Sequence, residues 1–131
     1  KILDKISYAE DSTMSDSAKL HLNVALGYGG QQDIVNVVKN ISSKVLSKEI
    51  NIKNINERTI NKASSVPVDE IDLLIRTGGD KRISNFLLYQ IAYAEIMFID
   101  KYWPDFTTKD YLKCINDFKT ANRRFGKRIK Y

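Results

Sequence analysis

Arg76, Gly78, Gly79, Arg82 and Ser84 fall within nine consecutive residues. Guanidinium forks match phosphate oxygens bidentately. Paired glycines let backbone N–H groups come close to an anion. A hydroxyl adds one more hydrogen-bond partner. Together these residue types could hold a doubly charged phosphate group. An ordinary strand–turn–helix with solvated arginines would use the same residues, so the elements around them must decide.

The apolar run 71–75 reads as a buried strand that delivers Arg76 to the Gly78-Gly79 turn. Open α/β sheets gather ligands at the carboxyl ends of their strands, and the cluster falls there. An apolar helix is predicted next, with Asn85 near its start, and then a strand over 96–99, immediately after Glu95. Pro104 stops the chain. Thr107 or Thr108 caps a last helix whose apolar face is Tyr111, Ile115, Phe118 and Phe125, and Gly126 ends it.

Upstream, residues 1–10 carry helical spacing and 11–17 a polar loop. Residues 19–28 alternate, with Leu20, Leu22, Val24 and Leu26 on one face, which predicts a strand. Gly27, Gly29 and Gly30 open a helix over 31–47 striped by Ile34, Val37, Val38, Ile41 and Val45. Strand, glycines and helix have the layout of a phosphate cradle. Gln32 stands where a dinucleotide fingerprint needs glycine, so that reading is rejected. Tight turning and close strand–helix packing explain the glycines equally well. A short helix over 56–63, capped by Asn56 with Thr59 inside, precedes the central strand. This alternation predicts an α/β fold: a parallel sheet with helices on both faces. Three strands are visible, which is thin and leaves an edge bare.

Composition sets the outer limits. The 131 residues make one small domain, 43% hydrophobic and 28% charged. No apolar run nears the roughly 18 residues of a membrane span. Cys114 is single and reads as a small core residue, and one cysteine with one histidine argues against zinc. The net charge of +5 favours anionic partners. Residues 119–130 carry six basic side chains and no acidic one.

Residues 72–95, DLLIRTGGDKRISNFLLYQIAYAE, resemble the signature of the cis-prenyltransferases, the undecaprenyl diphosphate synthases above all. WPDF at 103–106, RRFG at 123–126 and LNVALGYGGQQDIV at 22–35 resemble further landmarks of that family, in its order. The resemblance implies transfer of an allylic diphosphate's carbon chain, such as that of farnesyl diphosphate, onto isopentenyl diphosphate with cis geometry. It implies that Arg76, Arg82 and Ser84, with the backbone of Ile83 between them, bind the diphosphate of isopentenyl diphosphate. Glu95 would help bind magnesium, although a capping or salt-bridging glutamate fits the same position. Arg124 and Gly126 would reach a neighbour's phosphate site in a homodimer. Lys81 stands where some relatives carry a histidine, and an ammonium cannot ligate a metal.

The family's Asp-Gly-Asn segment is absent, and with it the catalytic aspartate. The expectation is therefore a carboxyl-terminal half of one catalytic domain (residues 1–131), inactive alone, whose sheet is completed by an amino-terminal half. Further expectations are a cytoplasmic setting and peripheral membrane contact through the lipid product. Two rivals use the same chain: a non-catalytic partner subunit, which would tend to lose the intact arginine–serine cluster, and a basic nucleic-acid-binding module. No signature motif of nucleic-acid recognition supports the latter.

Overall fold

The structure, a computed structural model, describes residues 1–66, 68–123 and 125. Helix α1 (Ile2–Thr13) is followed by an irregular segment, then by α2 (Gly30–Leu46) and the short α3 (Glu57–Ala63). Strand β1 (Leu73–Thr77), a run of turns, strand β2 (Glu95–Ile99) and α4 (Thr108–Thr120) complete the order. The two strands run parallel, with Leu73 opposite Glu95 and Arg76 opposite Phe98. The predicted parallel α/β arrangement is thus present.

The capping chemistry follows the sequence closely. Asn56 Oδ1 accepts from Thr59 N–H at 3.2 Å, and Thr59 Oγ1 accepts from Asn56 N–H at 3.2 Å, a reciprocal box that starts α3. Thr107 and Asp110 make the same arrangement at α4. Lys101 Nζ donates to Asp110 Oδ1 at 2.8 Å and so ties α4 to the chain leaving β2. That hydrogen bond, with those from Thr107, holds the Asp110 carboxyl far below the usual carboxylate range.

The core is small: Val37 and Ile41 of α2, Leu87, Ile91 and Cys114 are buried. Each large aliphatic side chain withdrawn from water contributes about 1.5–3 kcal/mol. α2 packs on α3. Burial pushes the Cys114 thiol pKa up, in keeping with a packing role.

Two predicted elements differ. Residues 19–28 form no strand and bend at Lys19, Leu26 and Gly27, and Leu20 and Leu22 stay 83% and 82% exposed. Alternation chooses a face, but a strand exists only through a neighbour's backbone. Among the described residues the sheet holds β1 and β2 alone.

The predicted helix from Asn85 is instead a series of turns over 84–93, with positive φ at Ser84 (47°), Asn85 (64°) and Leu87 (46°). Its carbonyls serve other elements. Asn85 O accepts from Gly30 N–H at 2.7 Å and Gln90 O from Ile71 N–H at 3.0 Å. Carbonyls committed in this way are not free for the i to i+4 ladder.

Candidate functional site

Arg76 lies one residue before the end of β1 with its guanidinium turned back over the following loop. One terminal nitrogen donates to Arg82 O at 2.7 Å and to Ser84 Oγ at 2.8 Å. The other reaches Asp80 Oδ2 at 3.4 Å. Arg82 pairs with that same oxygen. The arginines and the serine therefore converge on one spot, with Asp80 between the two cations. Arg76 Nε is buried with no partner. Arg82 is 65% exposed at its side chain against 25% for Arg76, so Arg82 presents the open face of the cluster.

Asp80 escaped the sequence reading. Its signal was the acidic residue directly after the glycine pair, two positions before Arg82. In a surface pair of this kind Coulomb gain is small. What Asp80 supplies is alignment: it already holds two guanidinium groups around an anionic oxygen.

The glycines play a different part from the one expected. Gly78 (φ 95°) and Gly79 (φ 80°) make the sharp turn, but their N–H groups donate to Lys101 O at 2.8 Å and Ile99 O at 3.0 Å. They pin the loop to the end of β2 and are not free to hold phosphate. Gly30 is likewise a packing glycine. A Cβ there would sit 2.8 Å from Leu88 Cγ and 3.0 Å from Asn85 O. Ile83 is half-buried and its carbonyl accepts from Phe86 N–H, while Lys81 is exposed.

Glu95 is not brought to this cluster. It opens β2 opposite Leu73, three register positions from Arg76, or about 10 Å along the sheet. Alternation also turns it to the other face. Its N–H donates to Asp72 O at 3.0 Å. Among the described residues no three His, Cys, Asp or Glu side chains form a group suited to a metal ion. Magnesium typically takes one or two carboxylates and completes its shell with water and phosphate oxygens. A lone half-buried Glu95 fits that donor chemistry in kind. Arg124 and Gly126 lie outside the described residues. Beside them, Arg123 pairs with Asp72 and lies over the Phe125 ring at 4.5 Å and the Phe118 ring at 5.3 Å.

Behind the loop lies a second polar hub. The Asp33 carboxylate is buried and accepts from Ser65 Oγ (2.7 Å), Ser64 Oγ (2.8 Å), Ser65 N–H (2.9 Å) and Tyr28 Oη (3.3 Å). Burial alone would raise its pKa, but the hydrogen bonds from Ser65, Ser64 and Tyr28 outweigh burial and leave it lowered. Gln90 Nε2 donates to Ser64 Oγ at 3.0 Å and extends the network under the turn series.

The prenyltransferase family described as "Putative undecaprenyl diphosphate synthase" matches residues 1–126. The match runs over nearly the whole chain and does not bear out the expectation of a carboxyl-terminal half only. A tritrans,polycis-undecaprenyl-diphosphate synthase (geranylgeranyl-diphosphate specific) of Pyrococcus horikoshii is 44% identical over 127 residues, 96% of this chain and 48% of that protein. A ditrans,polycis-undecaprenyl-diphosphate synthase ((2E,6E)-farnesyl-diphosphate specific) of Buchnera aphidicola is 45% identical, over 96% and 50%. The crystal structure of lavandulyl diphosphate synthase from Lavandula x intermedia, in complex with dimethylallyl diphosphate, superposes with a TM-score of 0.88 at 33% identity. That superposition covers 96% of this chain and 54% of that one. The chain thus spans about half the length of the relatives it matches. Motif order, parallel sheet and family match agree, and the chain belongs to the undecaprenyl diphosphate synthase family of prenyltransferases.

Proposed function

We propose that this chain takes part in cis-prenyl transfer, in which isopentenyl diphosphate is joined to an allylic diphosphate such as farnesyl diphosphate and pyrophosphate departs. The carrying observation is that Arg76 and Arg82 share one Asp80 carboxylate oxygen while Arg76 also donates to Ser84 Oγ. In this reading the cluster holds the diphosphate of isopentenyl diphosphate. Arg82 engages it from the open side, and Arg76, braced by the Arg82 carbonyl, orders Ser84. The incoming dianion competes with Asp80 for the guanidinium N–H groups. A fixed diphosphate leaves the acceptor's double bond in a repeatable position relative to the allylic carbon, which is catalysis by positioning. Bound magnesium would supply charge neutralisation to a leaving diphosphate. Glu95 is the carboxylate of this chain proposed to hold it, on a different face from the arginines.

Association of two copies is part of the same reading. Tyr93, Tyr102 and Trp103 flank β2 and are 57%, 69% and 75% exposed, and exposed aromatics are typical of interface cores. No helix among the described residues is long and apolar enough to cross a membrane. Peripheral contact through a lipid product is the proposed relation to membranes.

The test is titration of isopentenyl diphosphate into the chain by calorimetry. Arg82→Ala should weaken binding by roughly 2–4 kcal/mol, because charge-assisted bonds to a dianion are lost. Equal affinity of the two proteins would overturn the assignment.

A further inference from the structure

The loop that carries Arg82 and Ser84 is held from behind by one side chain. Asn85 Oδ1 accepts from Gln31 N–H at 2.9 Å, across 54 residues of sequence. Its own carbonyl accepts from Gly30 N–H at 2.7 Å. One residue thus satisfies the first two N–H groups of α2, whose N-cap position, Gly29, has no side chain to do so. The fit is close on both sides: a Cβ on Gly29 would lie 3.0 Å from Asn85 Nδ2, and one on Gly30 would lie 3.0 Å from Asn85 O.

The clamp continues into the anion cluster. Asn85 follows Ser84, both with positive φ, and Ser84 Oγ takes the Arg76 guanidinium at 2.8 Å. Asparagine is among the few side chains that enter this backbone region readily, and it alone of the neighbours has an acceptor aimed at α2. A helix of 17 residues is a stiff reference. A loop whose turning point is bonded to it has little freedom to slide.

We infer that Asn85 is a positioning residue for the diphosphate site: it fixes the loop to the start of α2 and so sets where Ser84, Arg76 and Arg82 stand. The inference rests on the diphosphate reading above, and the experiment separates the two. Isopentenyl diphosphate is titrated into the wild-type chain, Arg82→Ala, Asn85→Gly and Asn85→Asp. The Arg76 Nε–Hε resonance and the exchange rate of the Gln31 amide are followed by NMR in each. Glycine tolerates the positive φ, so Asn85→Gly removes the side-chain half of the clamp, leaving the carbonyl bond to Gly30, without adding backbone strain.

Asn85→Gly is expected to speed Gln31 exchange, displace the Arg76 resonance and weaken binding about five- to tenfold, the effect of roughly one hydrogen bond. Asn85→Asp keeps the oxygen acceptor and should restore the Arg76 resonance. Faster Gln31 exchange with an unmoved Arg76 resonance and wild-type binding in Asn85→Gly makes Asn85 a helix cap only, and overturns the inference while Arg82→Ala still upholds the site. Absence of binding by wild type, or unchanged binding in Arg82→Ala, overturns the diphosphate reading and the inference with it. Should Asn85→Gly not fold, Asn85→Asp decides: a displaced Arg76 resonance in it overturns the inference and a wild-type one supports it.

Discussion

The loop after β1 and the segment at 19–28 both carry plain patterns in the sequence, yet they fare differently. Over 76–84 the arginine and serine side chains meet partners within eight residues: Arg76 with Ser84, Arg82 with Asp80, Arg76 with the Arg82 carbonyl. Over 19–28 the alternation is as clear, but Leu20, Leu22, Val24 and Leu26 are 68–83% exposed. The first pattern carries its partners with it. The second needs a neighbouring strand, and β1 pairs only with β2 among the described residues. The local chemistry of 76–84 is present in this chain, whereas the strand pairing that 19–28 would need is not found among the described residues.

The sharpest way to break that comparison is to truncate one apolar residue in each kind of place. Ile41→Ala in α2 empties a buried position and should cost about 2–5 kcal/mol. Leu22→Ala, at a position 82% exposed, should stay within about 0.5 kcal/mol. Urea unfolding of the two variants measures the difference. A large loss at Leu22 would mean that the segment packs in solution against something beyond the described contacts, and the contrast would fall.

Gly30→Ala comes next. The added methyl meets Leu88 Cγ at 2.8 Å and two backbone atoms at 3.0 and 3.1 Å. Backbone cannot swing aside like a long side chain, so overpacking should cost about 1–3 kcal/mol. The thermal midpoint should fall, and isopentenyl diphosphate binding should weaken as the 84–85 corner is pushed off α2. An unchanged midpoint would mean that the junction between the two regions is loose.

How much the sequence disclosed follows from the same contrast. α2, α3 and α4 were legible because their periods and caps are local: Asn56 with Thr59, Thr107 with Asp110. The convergence of Arg76, Arg82 and Ser84 was legible from their spacing only together with the strand that precedes them and the family resemblance, since solvated arginines fit the spacing equally well. The turns over 84–93 were not, because a helical period says nothing about which distant N–H groups will claim the carbonyls of Asn85 and Gln90. For the same reason the glycine N–H groups were assigned to phosphate when they belong to the end of β2. The separation of Glu95 from the arginines came only with the parallel register, which turns position 95 to the opposite face from position 76.

A smaller effect tests whether the hub behind the loop depends on charge. Asp33 accepts four hydrogen bonds and its carboxyl pKa is lowered. A carboxyl group with a folded-state pKa below its unfolded value contributes stability that is fully present above the unfolded value, near pH 4. That contribution is lost as the pH falls through the folded value. The same sign holds for Asp110. The thermal midpoint of the wild-type chain should therefore drop between about pH 4 and the lowered value. Asp33→Asn, already less stable at pH 7 because an amide oxygen accepts more weakly, should show a shallower drop. Parallel pH curves for the two proteins would remove the carboxylate charge from the account of the hub.

The smallest expected effect isolates a cap from everything else. Asn56 is exposed, and its side chain bonds to Thr59 alone. Asn56→Ala removes the side-chain acceptor for Thr59 N–H and leaves that donor only its 2.9 Å bond to the Asn56 carbonyl. Cap removals of this kind cost about 1 kcal/mol. Because α3 is only seven residues long and packs on α2, the loss should appear as earlier fraying of residues 57–63 in amide exchange. The global midpoint should move little, and isopentenyl diphosphate affinity should not move at all. A change in affinity would show that α3 is coupled to the loop through Ser64 and Gln90, and that the polar hub transmits what happens at its edge. Unchanged affinity with faster exchange keeps α3 a locally specified element, of the same kind as the arginine loop and unlike the segment at 19–28.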